Sequence, residues 1–303
     1  MGNATMAWLG GIILPMVTPF RNGVIDVNAA QRLAVHYRDA GVSSLVLFGS
    51  TGEGNLVTPA EQARMFEAVS EAVDLPLLLG AGGVDTRSVV ASVRRLDRLM
   101  PAGYLVPPPY YLRPAQDGIV WHYRQIAQAT VNPIILYDVA ARTGSAMTVQ
   151  TMETLYALPN IVGVKACDAS LLGALVARSD MRVLCGEDRA LLSHFERGGR
   201  GAISASAHIR PDLFVALFNY ARAGHHEDAN ALFMVLKPLI RLLFSEPNPA
   251  PIKKYLAHEG WLCDELRAPM TPASNDLGLR IRRVVQRLPA EQPAHHCPSA
   301  FAY

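Results

Sequence analysis

Ile134-Ile135-Leu136-Tyr137 and Ile161-Val162-Gly163-Val164-Lys165 decide how this chain is read, because each is a short apolar run closed by a polar residue, with a segment of helical period between them. Runs apolar on both faces belong to a parallel sheet covered on two sides. Outward from this pair the alternation recurs, and strands are predicted over 11–17, 44–48, 76–79, 103–106, 134–137, 161–165, 182–185 and 201–204. Residues 59–73 illustrate the helical half of the repeat: Phe66, Val69 and Val73 share one face behind Thr58 and Glu61, the capping-box spacing. Eight such units in about 250 residues fit an α/β chain folded as a (β/α)8 TIM barrel. A doubly wound open sheet is the rival, but its nucleotide-binding form places GxGxxG after the first strand, and residues 11–20 hold none.

Past residue 223 the pattern becomes helix upon helix, over 225–244, 251–259 and 275–288, with a proline-punctuated turn at 245–251. The expected organisation is a barrel over 1–223, a C-terminal helical region over 224–288 and a flexible tail over 289–303.

Of the 303 residues, 50% are hydrophobic and 18% charged, enough apolar mass for a sizeable core. A net charge of +2 leaves no basic surplus for nucleic acid. No apolar run approaches the roughly 20 residues of a membrane span, and the N-terminus lacks a secretory signal, so a cytoplasmic location is expected. Cys167, Cys185, Cys263 and Cys297 show no CxxC spacing and are read as reduced thiols.

Catalytic groups of such barrels project from the C-terminal ends of strands. Of 28 basic residues only Lys165, Lys237, Lys253 and Lys254 are lysines, and Lys165 closes an apolar strand. Desolvation there would lower its pKa and make a nucleophile toward ketones. Pairing with Asp168, or snorkelling to water, is the plainer alternative. Tyr137 would reach the barrel mouth beside it as a proton shuttle, unless it only caps the core. The Gly49-Ser50-Thr51-Gly52 turn offers backbone N–H groups and two hydroxyls to a small carboxylate, though glycine and serine also fill ordinary loops. Arg142 can clamp a second carboxylate, or simply be solvated. A metal centre is disfavoured, since of nine histidines only His208 closely follows a strand.

These residues make the chain resemble the pyruvate-dependent class I aldolase family typified by dihydrodipicolinate synthase and N-acetylneuraminate lyase. The resemblance spans roughly residues 9–288. It rests on Leu14-Pro15-Met16-Val17-Thr18-Pro19-Phe20, Gly49-Ser50-Thr51-Gly52-Glu53, Pro109-Tyr110-Tyr111-Leu112-Arg113-Pro114, Tyr137 through Arg142-Thr143-Gly144, Gly163-Val164-Lys165 and Glu246-Pro247-Asn248-Pro249. It implies Lys165 as the Schiff-base lysine, Tyr137 as proton relay, and Ser50 with Thr51 as holders of the pyruvate carboxylate, Ser50 also relaying protons. Gly49, Gly186 and Ile203 would line the pyruvate pocket. Tyr111 would enter a neighbouring subunit's site and complete its relay. Arg142 would hold the carboxylate of the incoming aldehyde. A homotetramer without metal or organic cofactor is also implied.

Arg142 and the Tyr110-Tyr111 pair point to the synthase branch, which condenses pyruvate with aspartate semialdehyde. Ser50, Asp138, Ala140 and Ala166-Cys167 depart from that branch's usual residues. The alternatives are a pyruvate aldolase or lyase acting on a sugar acid or another 2-oxo acid, and a barrel that only binds a carboxylate. Pro59, Gln62 and Ser88 stand where lysine-regulated synthases place their effector-binding His and Glu residues, so lysine inhibition is expected to be absent.

Overall fold

A computed structural model describes residues 6, 8–177 and 181–290. Eight parallel strands close into a barrel in the order β1-β10-β9-β8-β7-β6-β5-β4. They are β1 (Gly11–Leu14), β4 (Ser44–Leu47), β5 (Leu77–Gly80), β6 (Gly103–Val106), β7 (Ile134–Asp138), β8 (Ile161–Ala166), β9 (Val183–Cys185) and β10 (Gly201–Ile203). The short strands β2 (Phe20–Arg21) and β3 (Val24–Ile25) form an antiparallel hairpin that the sequence reading missed. All eight expected barrel strands are present. The first stops at Leu14 rather than residue 17 because Pro15 has no N–H to donate. The second stops at Leu47, where Phe48 turns to φ +59.

Alternation along each strand sorts the apolar side chains into two layers. Ile13, Val46, Leu78, Leu105, Ile135, Tyr137, Leu184 and Ile203 fill the lumen. The opposite face, with Leu14, Leu45, Leu47, Leu79, Leu136 and Val164, packs under the surrounding helices. Continuous apolar runs are thus explained, since neither face meets water.

The helix Pro59–Ala72 begins with the anticipated capping box: the Thr58 hydroxyl accepts from the Glu61 N–H, and Glu61 accepts from the Thr58 N–H. After the barrel come helices His226–Leu243, Ala250–His258 and Asn275–Val285, whose buried Leu236, Ile240, Ile252, Leu256 and Ile281 join the outer apolar layer. Of the expected tail, residues 291–303, with Cys297, lie outside the described residues. The carbonyls of Pro289 and Ala290 accept from the Arg210 guanidinium. Among the described residues no helix is long and apolar enough to cross a membrane.

Candidate active site

Register brings the central pair together. Tyr137 on β7 lies directly opposite Lys165 on β8, so both side chains leave the sheet on the lumen side at its upper rim. Each is only 7% exposed, and the Lys165 Nζ sits 4.4 Å from the centroid of the Tyr137 ring. Asp168, the alternative partner for Lys165, is engaged elsewhere: it caps the helix Ala169–Val176 and accepts from the Ser170 N–H at 2.8 Å and hydroxyl at 2.7 Å. The space Lys165 occupies depends on Gly186, where an added Cβ would lie 2.9 Å from Lys165 Cε and 2.6 Å from Cys167 Sγ.

One expectation needs correction. Burial does pull the Lys165 ammonium down, but Tyr137, Cys167 and Asp188 together pull it further up, and its pKa lies above the ordinary lysine value.

Sequence reasoning overlooked Asp188. It is 1% exposed and burial pushes its carboxyl up, while its Oδ2 accepts from the Ser206 N–H at 2.8 Å. Its Oδ1 and the hydroxyls of Ser204 and Ser206 are buried beside one another, and the two hydroxyls partly offset the effect of burial on the carboxyl. Asp188 follows the β9 strand by three residues, a signal hidden by the absence of any motif around it.

The turn after β4 is tightly built. A Cβ at Gly54 or Gly80 would collide with the Phe48 carbonyl, and one at Gly52 would lie 2.9 Å from the Met16 carbonyl, so glycine is required for this close approach. The Thr18 hydroxyl donates to the Gly52 carbonyl at 2.6 Å. Within the turn Ser50 is exposed, Gly49 half-buried and Thr51 buried. The C-terminal region clasps it from outside: Asn248 donates to the Thr51 hydroxyl at 3.0 Å, and Lys253 ion-pairs with Glu53. Both charges of that pair are buried. Lys253 also donates to the Glu265 carbonyl at 2.9 Å and lies over the Phe20 ring, while the Arg267 N–H donates to Glu53 at 3.0 Å.

Arg142 is exposed on the one-turn helix Ala140–Thr143 that follows β7, within electrostatic range of Tyr110, whose phenol burial pushes up. Tyr111 points away from its own barrel: it is 87% exposed and held at φ +66. Ile203, 1% exposed, stands in the lumen layer. Lys165, Tyr137, Gly186 and Ile203 thus converge, whereas Tyr111 and Arg142 stand at the periphery. A cleft of about 510 Å³ opens at the positions just past the strand ends, lined by Asp138, Ala140, Ala141, Cys167 and Glu187 among others; neither Lys165 nor Tyr137 lines it.

His208 serves the fold. Its Nε2 accepts from the Val17 N–H at 3.1 Å, its Nδ1 meets the Ala205 carbonyl at 2.8 Å, and burial lowers its pKa to about 4. Among the described residues no group of three His, Cys, Asp or Glu side chains could hold a metal ion. Cys167, Cys185 and Cys263 are free thiols.

The chain's similarities to known proteins are consistent. A sequence model of the Dihydrodipicolinate synthetase family matches residues 8–288. The chain is 35% identical over 280 residues to 4-hydroxy-tetrahydrodipicolinate synthase 2 of Clostridium acetobutylicum, covering 90% of this chain and 98% of the relative. The crystal structure of dihydrodipicolinate synthase from Thermotoga maritima superposes with a TM-score of 0.89 at 33% identity, covering 91% and 97% of the two chains. A structure described as the first monomeric dihydrodipicolinate synthase variant gives a TM-score of 0.89 at 32% identity, covering 92% and 96%.

Proposed function

Since the chain belongs to the dihydrodipicolinate synthetase family, we propose that it condenses pyruvate with aspartate semialdehyde to 4-hydroxy-tetrahydrodipicolinate through a Schiff base on Lys165. The observation that carries this reading is the Lys165–Tyr137 pair at the lumen-facing rim of a closed barrel.

Lys165 gives up a proton toward the Tyr137 hydroxyl, and the neutral amine adds to the keto carbon of pyruvate. The carbinolamine hydroxyl, protonated through the same relay, leaves as water, and a protonated imine remains. That iminium draws electrons as the methyl carbon gives a proton to the same relay, which leaves an enamine. The enamine carbon adds to the aldehyde carbon, whose oxygen takes up a proton. The substrate's own amine then adds to the former keto carbon and expels the Lys165 nitrogen, closing the ring and restoring the lysine.

The other roles follow from position. Thr51, with Ser50 and the backbone of the turn, holds the pyruvate carboxylate, and Gly49, Gly186 and Ile203 shape the pocket. Ser50 extends the relay from Tyr137. Tyr111, directed outward, completes the relay of a neighbouring subunit, so the active assembly is at least a dimer and in our reading a homotetramer. Arg142 holds the carboxylate of the aldehyde. The cleft lined by Asp138, Cys167 and Glu187 has room for the far end of a longer substrate such as a sugar acid, which keeps a lyase of that kind as the second reading.

Borohydride reduction in the presence of pyruvate tests the proposal. Wild type should gain a covalent adduct on Lys165, and Lys165→Ala none. Arg142→Ala should form the adduct normally while kcat/KM for aspartate semialdehyde falls at least tenfold. An unmodified Lys165 with pyruvate still bound would instead indicate a carboxylate-binding barrel. A panel of aldehydes separates the synthase from the sugar-acid lyase.

A further inference from the structure

We propose that the arginine-rimmed groove between helices His226–Leu243 and Asn275–Val285 is a binding site for a small anion bearing a polyphosphate chain. The groove has a volume of about 500 Å³ and none of its lining residues belongs to the barrel mouth. Arg241 enters it from the first helix, and Arg280, Arg283 and Arg287 enter from the second helix and the turn that follows.

Spacing explains the convergence. Arg241 follows Pro238 by three residues and Arg283 follows Arg280 by three, so each pair occupies one helical face, and the turn after Val285 brings Arg287 to the same groove. All four arginines are exposed, with Leu242 buried and Val284 half-buried among them. Like charges so placed repel one another. Compensation within the chain is slight: among ion pairs of the described residues, only Arg280 has a carboxylate, Asp276 at 3.8 Å, and that pair is solvent-exposed. The cluster is not a by-product of a basic protein, since the net charge is only +2. A cleft lined by one sign of charge focuses its field on counter-ions.

The residue type narrows the ligand. Guanidinium forks match phosphate oxygens two at a time, which a lysine ammonium does not. Four of them suit several linked phosphates. A groove of this volume also accommodates a nucleotide-sized molecule, with Leu242, Val284 and Pro238 available to an apolar or aromatic portion.

Tripolyphosphate and ATP are the probes. Isothermal titration of the full-length protein should show a single saturable site, and the thermal midpoint should rise by about 5 °C at a hundred times Kd. Binding should weaken as sodium chloride is raised. In the double variant Arg283→Glu/Arg287→Glu, affinity should fall at least tenfold, while borohydride trapping of pyruvate on Lys165 continues unchanged. The trapping readout keeps a misfolded variant from being mistaken for a lost site. ATP binding tighter than tripolyphosphate supports a nucleotide; equal affinities support the phosphate chain alone as the recognised group. Equal stabilisation of variant and wild type, or an effect that sodium sulfate reproduces at matched ionic strength, would overturn the proposal.

Discussion

Replacing Lys253 by methionine would leave Glu53 buried without its cation. Lys253 is fully buried and Glu53 is 5% exposed, so water cannot take over the carboxylate. Removing one partner of such a pair costs about 3–5 kcal/mol, because the remaining charge is uncompensated. For a chain of 303 residues, whose unfolding entropy is about 2 cal/mol/K per residue, this corresponds to a fall in Tm of about 5–8 °C. The loss should be largely reversed in the double variant Glu53→Gln/Lys253→Met. A glutamine oxygen can still accept from the Arg267 N–H, and the neutral amide leaves no buried charge without its counter-ion. Urea denaturation and calorimetry of wild type, single and double variants give the measurement, and the KM for pyruvate should rise severalfold in the single variant as the turn holding Thr51 loosens. A single variant within 1 kcal/mol of wild type, or a double variant no more stable than the single, would refute the reasoning.

Gly186→Ala places a methyl group 2.9 Å from Lys165 Cε; overpacking of about 1–3 kcal/mol is expected. A displacement of about 1 Å at Lys165 should slow imine formation about 100-fold in a single-turnover trapping assay, whereas trapping at the wild-type rate would show that the lysine does not need this space. His208 is held neutral, with its pKa lowered from 6.5 to about 4, so the unfolded chain takes up a proton that the folded chain refuses as pH falls through this window. Stability contributed by His208 is intact above pH 6.5 and declines by about 3 kcal/mol toward pH 4; urea midpoints of wild type and His208→Asn across this range should converge at the acid end. Lysine should not inhibit: Gln62 is buried and accepts from Arg95 at 3.2 Å, and the Ser88 N–H is taken by the Asp85 cap. A micromolar inhibition constant in a steady-state assay would contradict this.

The barrel was legible because its signal is repeated. Each strand is an apolar run of three to six residues, and burial on both faces permits no polar alternation to confuse it with a solvent-facing strand. Strand ends were legible less well, since they depend on single backbone events such as Pro15 or the positive φ of Phe48. At the site, Lys165 and Tyr137 stood out because a polar group closing an apolar strand is conspicuous. Asp188 did not, because its significance comes from β9 lying next to β8, a neighbour relation the linear order leaves implicit. The direction of the Lys165 shift was misjudged for the same reason: burial can be read from surrounding residues in the chain, but the opposing groups come from three different strand ends. Likewise nothing in the sequence near Glu53 announced its partner Lys253, which lies 200 residues further along the chain.

That distance has a consequence for how the protein comes into being. The partners that clasp the turn after β4, namely Asn248, Lys253 and the Arg267 backbone, lie 197, 200 and 214 residues downstream of the groups they hold. At a translation rate of about 5–20 residues per second, roughly 10–40 s separate synthesis of the turn from synthesis of its clasp. A ribosome therefore releases the turn after β4 long before the segment that clasps it, and for that interval the buried position of Glu53 has no cation to meet.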